Sequence, residues 1–562
     1  MSKVCVIGLD GGTFSVIDYL IRQKRLPNFA RLMTEGSRAT LLSTTPPLTP
    51  AAWTSFYTGS NPGKTGAVGF FKFRPGTYQL EPMNAGNLEG TPIWSLASSR
   101  RKRVCVFNVP VTYPAAPVNG ILISGMDAPS FDDRAIYPLE QKSSFLSAVP
   151  DYKVSTEIDA RDLLNHSQDP VGDYIARLKA HLQMEIRAIN HLMELEDWDL
   201  FVGVIRSPDC FQHIFWEDTE KVITGKTVTA EESIRAEAVF GCYEAIDREL
   251  GETWSAWCSD RNLIFMSDHG FGRLRGDVCL NRVLADAGLL AFLPRGGRGR
   301  SRDYLVKKLQ ARITFQTRQK IKRLLGKDDT GERWNSFVDS LVADIDWSRT
   351  RISAIAQHGC LYVNLKGRDP LGMVAGEAER QAVLKETEAV LSELRDPEDG
   401  EPVVSKFYRK EDLYHGLLMS TMPDMVVNMR NWSYRGISST SIELSEESIF
   451  RSQYKQWRQL GHSGAHRREG ILLMRGPDIN TADIGVAQMV DVAPTIMRLL
   501  GLPASRDWDG QVLEAALGMD AAGPVREEKE AYQAGGKVED DQVYSREDEE
   551  EIRKRLENLG YL

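Results

Sequence analysis

The chain has 562 residues, 42% hydrophobic and 26% charged, with a net charge of -9 and a pI near 5.7. That is enough apolar material for a large core and roughly two to four domain-sized units, and the acidic balance argues against a nucleic-acid partner. No run of about 18 apolar residues exists to span a membrane, and the short apolar start Val4–Leu9 ends too soon in Asp10-Gly11-Gly12 for a signal sequence. The seven cysteines form no CxxC pair and sit in apolar runs such as Val4-Cys5-Val6. They read as reduced core thiols of a cytoplasmic chain, and thiolate zinc sites are excluded.

Residues 4 to 9 predict a buried strand. A helix is expected near 27 to 35, with Pro27 in its first turn and Gly36 as its stop, followed by a strand over 38 to 42. Further strand-type runs lie at Val104 to Val109 and Ile121 to Ser124. Ile175, Leu178, Leu182, Ile186, Ile189 and Leu192 recur at helical spacing and lead into a strand over 199 to 205. A helix over 236 to 250 precedes a strand over 262 to 267. β-type runs resume at 352 to 355 and 360 to 365, with a helix near 375 to 395. Strands are expected near 424 to 428 and 471 to 474, and a helix from 490 to 500 is closed by Gly501. Strands alternating with helices predict an α/β fold, a mostly parallel central sheet with helices on both faces. Such sheets bind ligands at the carboxyl ends of their strands.

Two segments depart from this pattern. From Pro294 to Lys327 about a dozen Lys and Arg fall among very few acids, broken at the start by glycines. The basic insertion 286–344 reads either as a solvated arm or as a cap or membrane-surface helix that attracts anionic substrates or lipid headgroups. The tail 516–562 reads as an acidic linker and a docking helix, with Ser545 and Asp548 in a capping pattern and an apolar line through Ile552, Leu556 and Leu559.

The polar residues that carry chemistry cluster just after the strands. Asp10 follows the first. Asp209 and His213 are four apart, on one helical face, and can share one ion. Asp268-His269-Gly270 follows the strand ending at Ser267, and His466 lies shortly before the run at 471 to 474, with His462 as an alternative. Thr49 stands in Thr45-Pro46-Pro47-Leu48-Thr49-Pro50, ahead of a run with a helix-like apolar face, a setting that exposes a nucleophilic oxygen near a helix N-terminus. Gly59-Ser60-Asn61-Pro62-Gly63-Lys64-Thr65 imitates a P-loop but has three residues between its glycines, where that motif needs four. It reads instead as a turn exposing Lys64. Asp plus His donors suit zinc, and manganese or iron less specifically.

Together these pieces resemble the alkaline phosphatase superfamily, and within it the type I phosphodiesterase/nucleotide pyrophosphatase family. The matching stretches are Gly8-Leu9-Asp10-Gly11, Leu48-Thr49-Pro50 through Asn61-Pro62-Gly63-Lys64-Thr65-Gly66, Asp209 to His213, Ser267 to Gly272, His466 with Gly476-Pro477, and Val490 to Ile496. The resemblance covers 1–285 and 345–515, which it marks as one catalytic domain. It implies two divalent cations, Zn2+ in the first place with Mn2+ as the alternative. One would be held by Asp209, His213 and His466, the other by Asp10, Asp268, His269 and the Thr49 oxygen. It implies Thr49 as the nucleophile, a phospho-threonine intermediate and a small phosphate ester or nucleotide-like substrate. A phosphotransferase or phosphomutase on the same fold is the alternative, and it typically uses Ser where this chain has Thr49.

Two departures bear on specificity. The pyrophosphatases carry an Asn shortly after the nucleophile, whereas Gly66-Ala67-Val68-Gly69-Phe70-Phe71 has none. Asn61, Lys64 or a backbone amide is expected to bind the phosphoryl group in its place. Leu48-Thr49-Pro50 also lacks the Cys or Ser that a sulfatase converts to formylglycine. The sequence leaves the oligomeric state open.

Overall fold

The computed structural model describes residues 2–74, 76–156, 158, 160–293, 345–355, 358–437, 449–451, 460–518 and 543–558. Its centre is a nine-stranded sheet in the order Asp483–Gln488, Ser37–Leu42, Glu469–Arg475, Asn262–Met266, Val4–Leu9, Leu200–Ile205, Val104–Val109, Gly120–Ser124 and Ile136–Tyr137. Val4–Leu9 pairs in parallel with both neighbours. The exceptions are Glu469–Arg475, antiparallel on both sides, and the edge strand Ile136–Tyr137.

Every residue of Val4–Leu9, Val104–Val109 and Leu200–Ile205 is buried. Alternation sorts them onto two cores. Cys5, Ile7, Leu9, Phe107, Phe201 and Ile205 pack under the helices of one face, while Val4, Val6, Val106, Val202 and Val204 pack on the other. Burial on both faces explains the continuous apolar runs. All seven cysteines are buried and free. No described helix is long and apolar enough to cross a membrane.

The expected helices are present as Pro27–Glu35, Pro170–Leu195, Ala230–Glu249, Gly376–Ser392 and Val492–Leu499. The runs near 352, 360 and 425 do not join the central sheet. With Val404–Arg409 they make a separate four-stranded antiparallel sheet around its own core of Leu361, Val363, Leu384, Met425 and Val427. This unit touches the loop before Thr49, where the Tyr414 hydroxyl donates to the Thr45 carbonyl at 2.6 Å. The basic insertion lies, from residue 294 on, outside the described residues. So do the linker at 519–542 and Leu559. The docking helix is Arg546–Asn558. Asp548 N–H donates to Ser545 Oγ at 3.2 Å and Ser545 N–H to the Asp548 carboxylate at 2.9 Å, and Ile552 and Leu556 join the main core.

Candidate active site

Asp10, Thr49, Asp209, Asp268 and His269 meet at the carboxyl edge of the central strands, buried to within 1% of full cover. Thr49 opens the helix Thr49–Thr58, so its hydroxyl sits where unpaired N–H groups concentrate positive potential. Its Oγ1 is 3.3 Å from His269 Nε2. Two other hydroxyls of this helix are engaged elsewhere: Thr54 Oγ1 donates to the Pro50 carbonyl at 2.7 Å and Thr58 Oγ1 to that of Thr54 at 2.6 Å. Gly8 lets this helix approach the sheet. A Cβ there would lie 2.3 Å from Cη2 of Trp53.

The ligand-type atoms form two adjoining groups. His269 Nε2 lies 3.3 Å from Asp268 Oδ2 and 3.5 Å from Asp10 Oδ1. Asp209 Oδ1 lies 3.2 Å from His213 Nε2 and 3.3 Å from His466 Nε2, and the two imidazole nitrogens are 3.1 Å apart. The rings of His269 and His466 stack with centroids 3.5 Å apart, so His269 Nε2 reaches both groups. His462 lies alongside, its ring centroid 5.4 Å from that of His213.

The tautomers follow from the other ring nitrogens. Nδ1 of His213, His269 and His466 faces the carbonyls of Gly464, Gly270 and Pro47 at 3.2, 3.2 and 2.9 Å. A proton on each Nδ1 leaves three Nε2 lone pairs converging on carboxylate oxygens. Acceptors facing acceptors in a buried site repel, and a cation between them reverses the sign of every contact. Asp10 Oδ1 and Asp268 Oδ2 receive no hydrogen bond, as ligand oxygens aimed at an ion would. The donor set therefore fits two divalent cations.

The electrostatics differ between the two groups. Burial, reinforced by the neighbouring carboxylates, pushes the Asp10 carboxyl well above its ordinary range, with Arg206 opposing. Burial also raises Asp268, and Asp209 adds to it. Burial, helped by the other imidazole, holds His269 well below the usual histidine value and lowers His466. Burial opposes the charge on Asp209, yet His213 and His466 hold its carboxyl well below the ordinary range.

Several residues that the motifs did not reveal support this constellation. Glu185 accepts from the Arg206 and Ser207 N–H groups at 3.0 and 3.3 Å and from Ser207 Oγ at 2.5 Å, at the start of the helix Ser207–Ile223 that carries Asp209 and His213. Gln212 donates to the Gly11 carbonyl at 2.9 Å and ties that helix to the Asp10 loop. The helix bends at Phe215, where Ser463 Oγ donates to the Ile214 carbonyl and accepts from Glu217 N–H. An inserted side chain of this kind is a recognised cause of a kink. Arg467 donates to the carbonyls of His466, Trp432 and Arg273 at 2.9, 3.1 and 2.6 Å. Gly272 makes room for it, since a Cβ there would lie 2.4 Å from Arg467 Nε. No sequence pattern marks Glu185 or Gln212, because their partners are distant in the chain.

Asn61 and Lys64 are not brought to the cluster. They follow the far end of Thr49–Thr58, a ten-residue helix that at about 1.5 Å per residue spans roughly 15 Å. Asn61 donates to Asp509 at 2.8 Å and its Oδ1 caps Gly63 N–H, while Lys64 pairs with Asp509. Lys64 stays partly exposed while it makes this pair.

The family model for type I phosphodiesterase/nucleotide pyrophosphatase matches residues 4–456. No curated protein matches the chain. Similar solved structures include human ectonucleotide pyrophosphatase/phosphodiesterase 5, at 13% identity and a TM-score of 0.47, over 92% of this chain and 99% of that one. The inactive murine form in complex with AMP is also similar, at 13% identity and a TM-score of 0.48, over 92% of this chain and 100% of that one. The family match takes in seven of the nine central strands, the Thr49 loop and five of the six ligand-type side chains (Asp10, Asp209, His213, Asp268 and His269), and makes this chain a phosphoric ester hydrolase of the type I phosphodiesterase/nucleotide pyrophosphatase family.

Proposed function

We propose that the chain hydrolyses small phosphodiesters or pyrophosphate-type, nucleotide-like esters through a phosphorylated Thr49. The observation that carries this reading is Thr49 Oγ1, 3.3 Å from His269 Nε2 at a helix N-terminus, beside two buried groups of carboxylates and imidazoles. Asp10, Asp268, His269 and Thr49 would hold one divalent cation and Asp209, His213 and His466 the other, with zinc best suited to this donor set. When bound, such a pair lowers the pKa of an attacking hydroxyl and neutralises phosphoryl oxygens.

The chain's own groups do the rest. The helix start at Thr49 favours the negative charge that builds on the phosphoryl group. Oγ1 attacks phosphorus, the Oγ–P bond forms, and the ester bond opposite breaks to release an alcohol or phosphate. Water then enters from the side the leaving group vacated, breaks the Oγ–P bond and restores the threonine. The carbonyl contacts at each Nδ1 keep the three imidazoles in one orientation throughout.

The test is acid quenching during turnover followed by mass spectrometry. A phosphoryl adduct on Thr49 in the parent, with no turnover and an unchanged circular dichroism spectrum in Thr49→Ala, is expected. Full activity of Thr49→Ala overturns the proposal. Isotope-labelled water separates hydrolysis from transfer, since only hydrolysis puts solvent oxygen into the phosphate product.

A further inference from the structure

Arg206 stands at the catalytic edge with no part in the chemistry of Thr49. It directly follows the strand Leu200–Ile205, which runs parallel to Val4–Leu9 with Ile205 opposite Leu9. The Asp10 N–H donates to the Ile205 carbonyl at 3.0 Å. Two parallel strands ending in register thus set Asp10 and Arg206 side by side, and Arg206 Nε lies 4.0 Å from Asp10 Oδ2. The two oxygens of Asp10 face different ways. Oδ1 lies 3.5 Å from His269 Nε2, on the side of the other ligand-type atoms, and Oδ2 is the one nearest the guanidinium.

Arg206 is 1% exposed. A buried arginine is normally tied to its partner by a fork of hydrogen bonds. Here Nε and Nη1 are buried with no hydrogen-bond partner among the described residues, and 4.0 Å is too long for a hydrogen bond to Asp10. No direct hydrogen bond from Arg206 therefore orients that carboxylate. What the side chain does supply is its charge, which arginine keeps in a protein. Burial opposes the charge, yet Cys210, Asp10, Asp209 and Glu185 outweigh it and hold the guanidinium above its ordinary value.

The sign of that charge decides its effect. Asp10, Asp209 and Asp268 bring three negative charges into a buried site. In the metal-free protein they repel one another, and the guanidinium offsets part of the repulsion. Two divalent cations would bring four positive charges, so the loaded site is already positive before Arg206 is counted. From then on the guanidinium opposes a cation held by Asp10, and a divalent ion feels it twice as strongly as a single charge at the same place.

Resting on the two-cation reading above, we propose that Arg206 is a built-in counter-charge for the Asp10 group: it steadies the carboxylates before the cation arrives and loosens the hold on the cation afterwards. The test strips zinc from the loaded protein with chelators of graded strength, read by elemental analysis. The step that belongs to the Asp10 group is the one missing in Asp268→Asn. Arg206→Met and Arg206→Gln both remove the charge. Each should hold that zinc at least about tenfold more tightly, with a smaller change in the other step. Each should also melt at a lower temperature than the parent when metal-free, because a buried carboxylate has lost its counter-charge. Arg206→Lys keeps a charge without the fork and should stay close to the parent in both readouts.

Unchanged or weaker zinc binding in the neutral variants, an unchanged metal-free melting temperature, or an Arg206→Lys protein that behaves as they do overturns the counter-charge. Neutral variants that fail to fold even with zinc bound overturn it as well, since the cation should replace the missing charge. A parent that takes up no divalent cation overturns the two-cation reading and this inference together. Two bound zinc ions indifferent to Arg206 overturn this inference alone.

Discussion

Glu185 accepts the Ser207 hydroxyl at 2.5 Å, and through it holds the start of the helix that presents Asp209 and His213. It lies fully buried on the long helix Pro170–Leu195, so it acts as a cap supplied from elsewhere in the chain. Hydrogen bonds to a charged acceptor contribute about 1.5–3 kcal/mol each. Glu185→Ala is therefore expected to destabilise the protein by roughly 2–4 kcal/mol, measured by urea unfolding, and to weaken metal retention at the Asp209 group. Despite burial, His181 and the Ser207 contacts hold the Glu185 carboxyl below its ordinary value. Its contribution is accordingly complete above the unfolded value near 4.5 and lost as pH falls below it.

Metal content checks the constellation directly. Chelation should abolish turnover, and zinc should restore it. His466→Ala and Asp268→Asn should each reduce the bound metal from two ions per chain toward one, read by elemental analysis, while the secondary structure remains. Activity that is insensitive to chelators would contradict the two-cation reading.

Arg467 joins the last metal-type histidine to Trp432. Burial lowers its guanidinium to about 10, and it donates to four carbonyls and the Ser433 hydroxyl. Arg467→Lys cannot reproduce this fork. A loss of about 10- to 100-fold in activity is expected, as for other groups that orient metal-binding side chains. Gly272→Ala should match it in direction, because the added Cβ displaces the same guanidinium. Steady-state kinetics on the two variants suffice.

Asp509 offers a pH test remote from the chemistry. Burial raises its carboxyl, but Lys64 and Asn61 outweigh this and hold it at about 2, below its ordinary 3.8. A depressed carboxylate stabilises the fold above its unfolded value, and this support is lost as pH falls from about 4 to 2. Asp509→Asn should flatten that segment of the stability curve. Asn61→Ala should lower the melting temperature and leave KM unchanged. A raised KM with unchanged stability would return Asn61 to the substrate.

The docking helix is tested by Arg555→Ala. Arg555 donates to the carbonyls of Met126, Ala128 and Pro129 at 2.6, 2.6 and 2.9 Å, and Tyr544 stacks on Tyr113 with centroids 5.6 Å apart. A lower melting temperature in the variant, read by scanning calorimetry, is expected.

The parts of this molecule that were legible in the sequence are those written in local pattern. The apolar runs at 4–9, 104–109 and 200–205 are continuous because both faces are covered, and they were readable as core strands. Asp209 and His213 were readable because four residues bring side chains onto one helical face. What could not be read depends on partners far away. Nothing local distinguishes Glu185 from a solvated glutamate, or tells that the run at 352–363 builds a second sheet. Asn61 and Lys64 follow Thr49 closely in sequence, yet the ten-residue helix between them carries them away from it.

The strand Glu469–Arg475 runs against both neighbours and fills the gap between Ser37–Leu42 and Asn262–Met266. During synthesis it emerges after both of them. Until it arrives, the nascent chain lacks the strand that pairs with both sheet edges, and the Thr49 loop lacks the His466 imidazole that bonds to the Pro47 carbonyl. Pairing Leu42 with Glu469 closes a very long loop, the kind of non-local contact that slows folding and exposes edges to aggregation. Bringing His466 beside Asp209 and His213 therefore requires that the chain be threaded back through its own middle, and a protein truncated before His466 would lack both the closed sheet and that histidine.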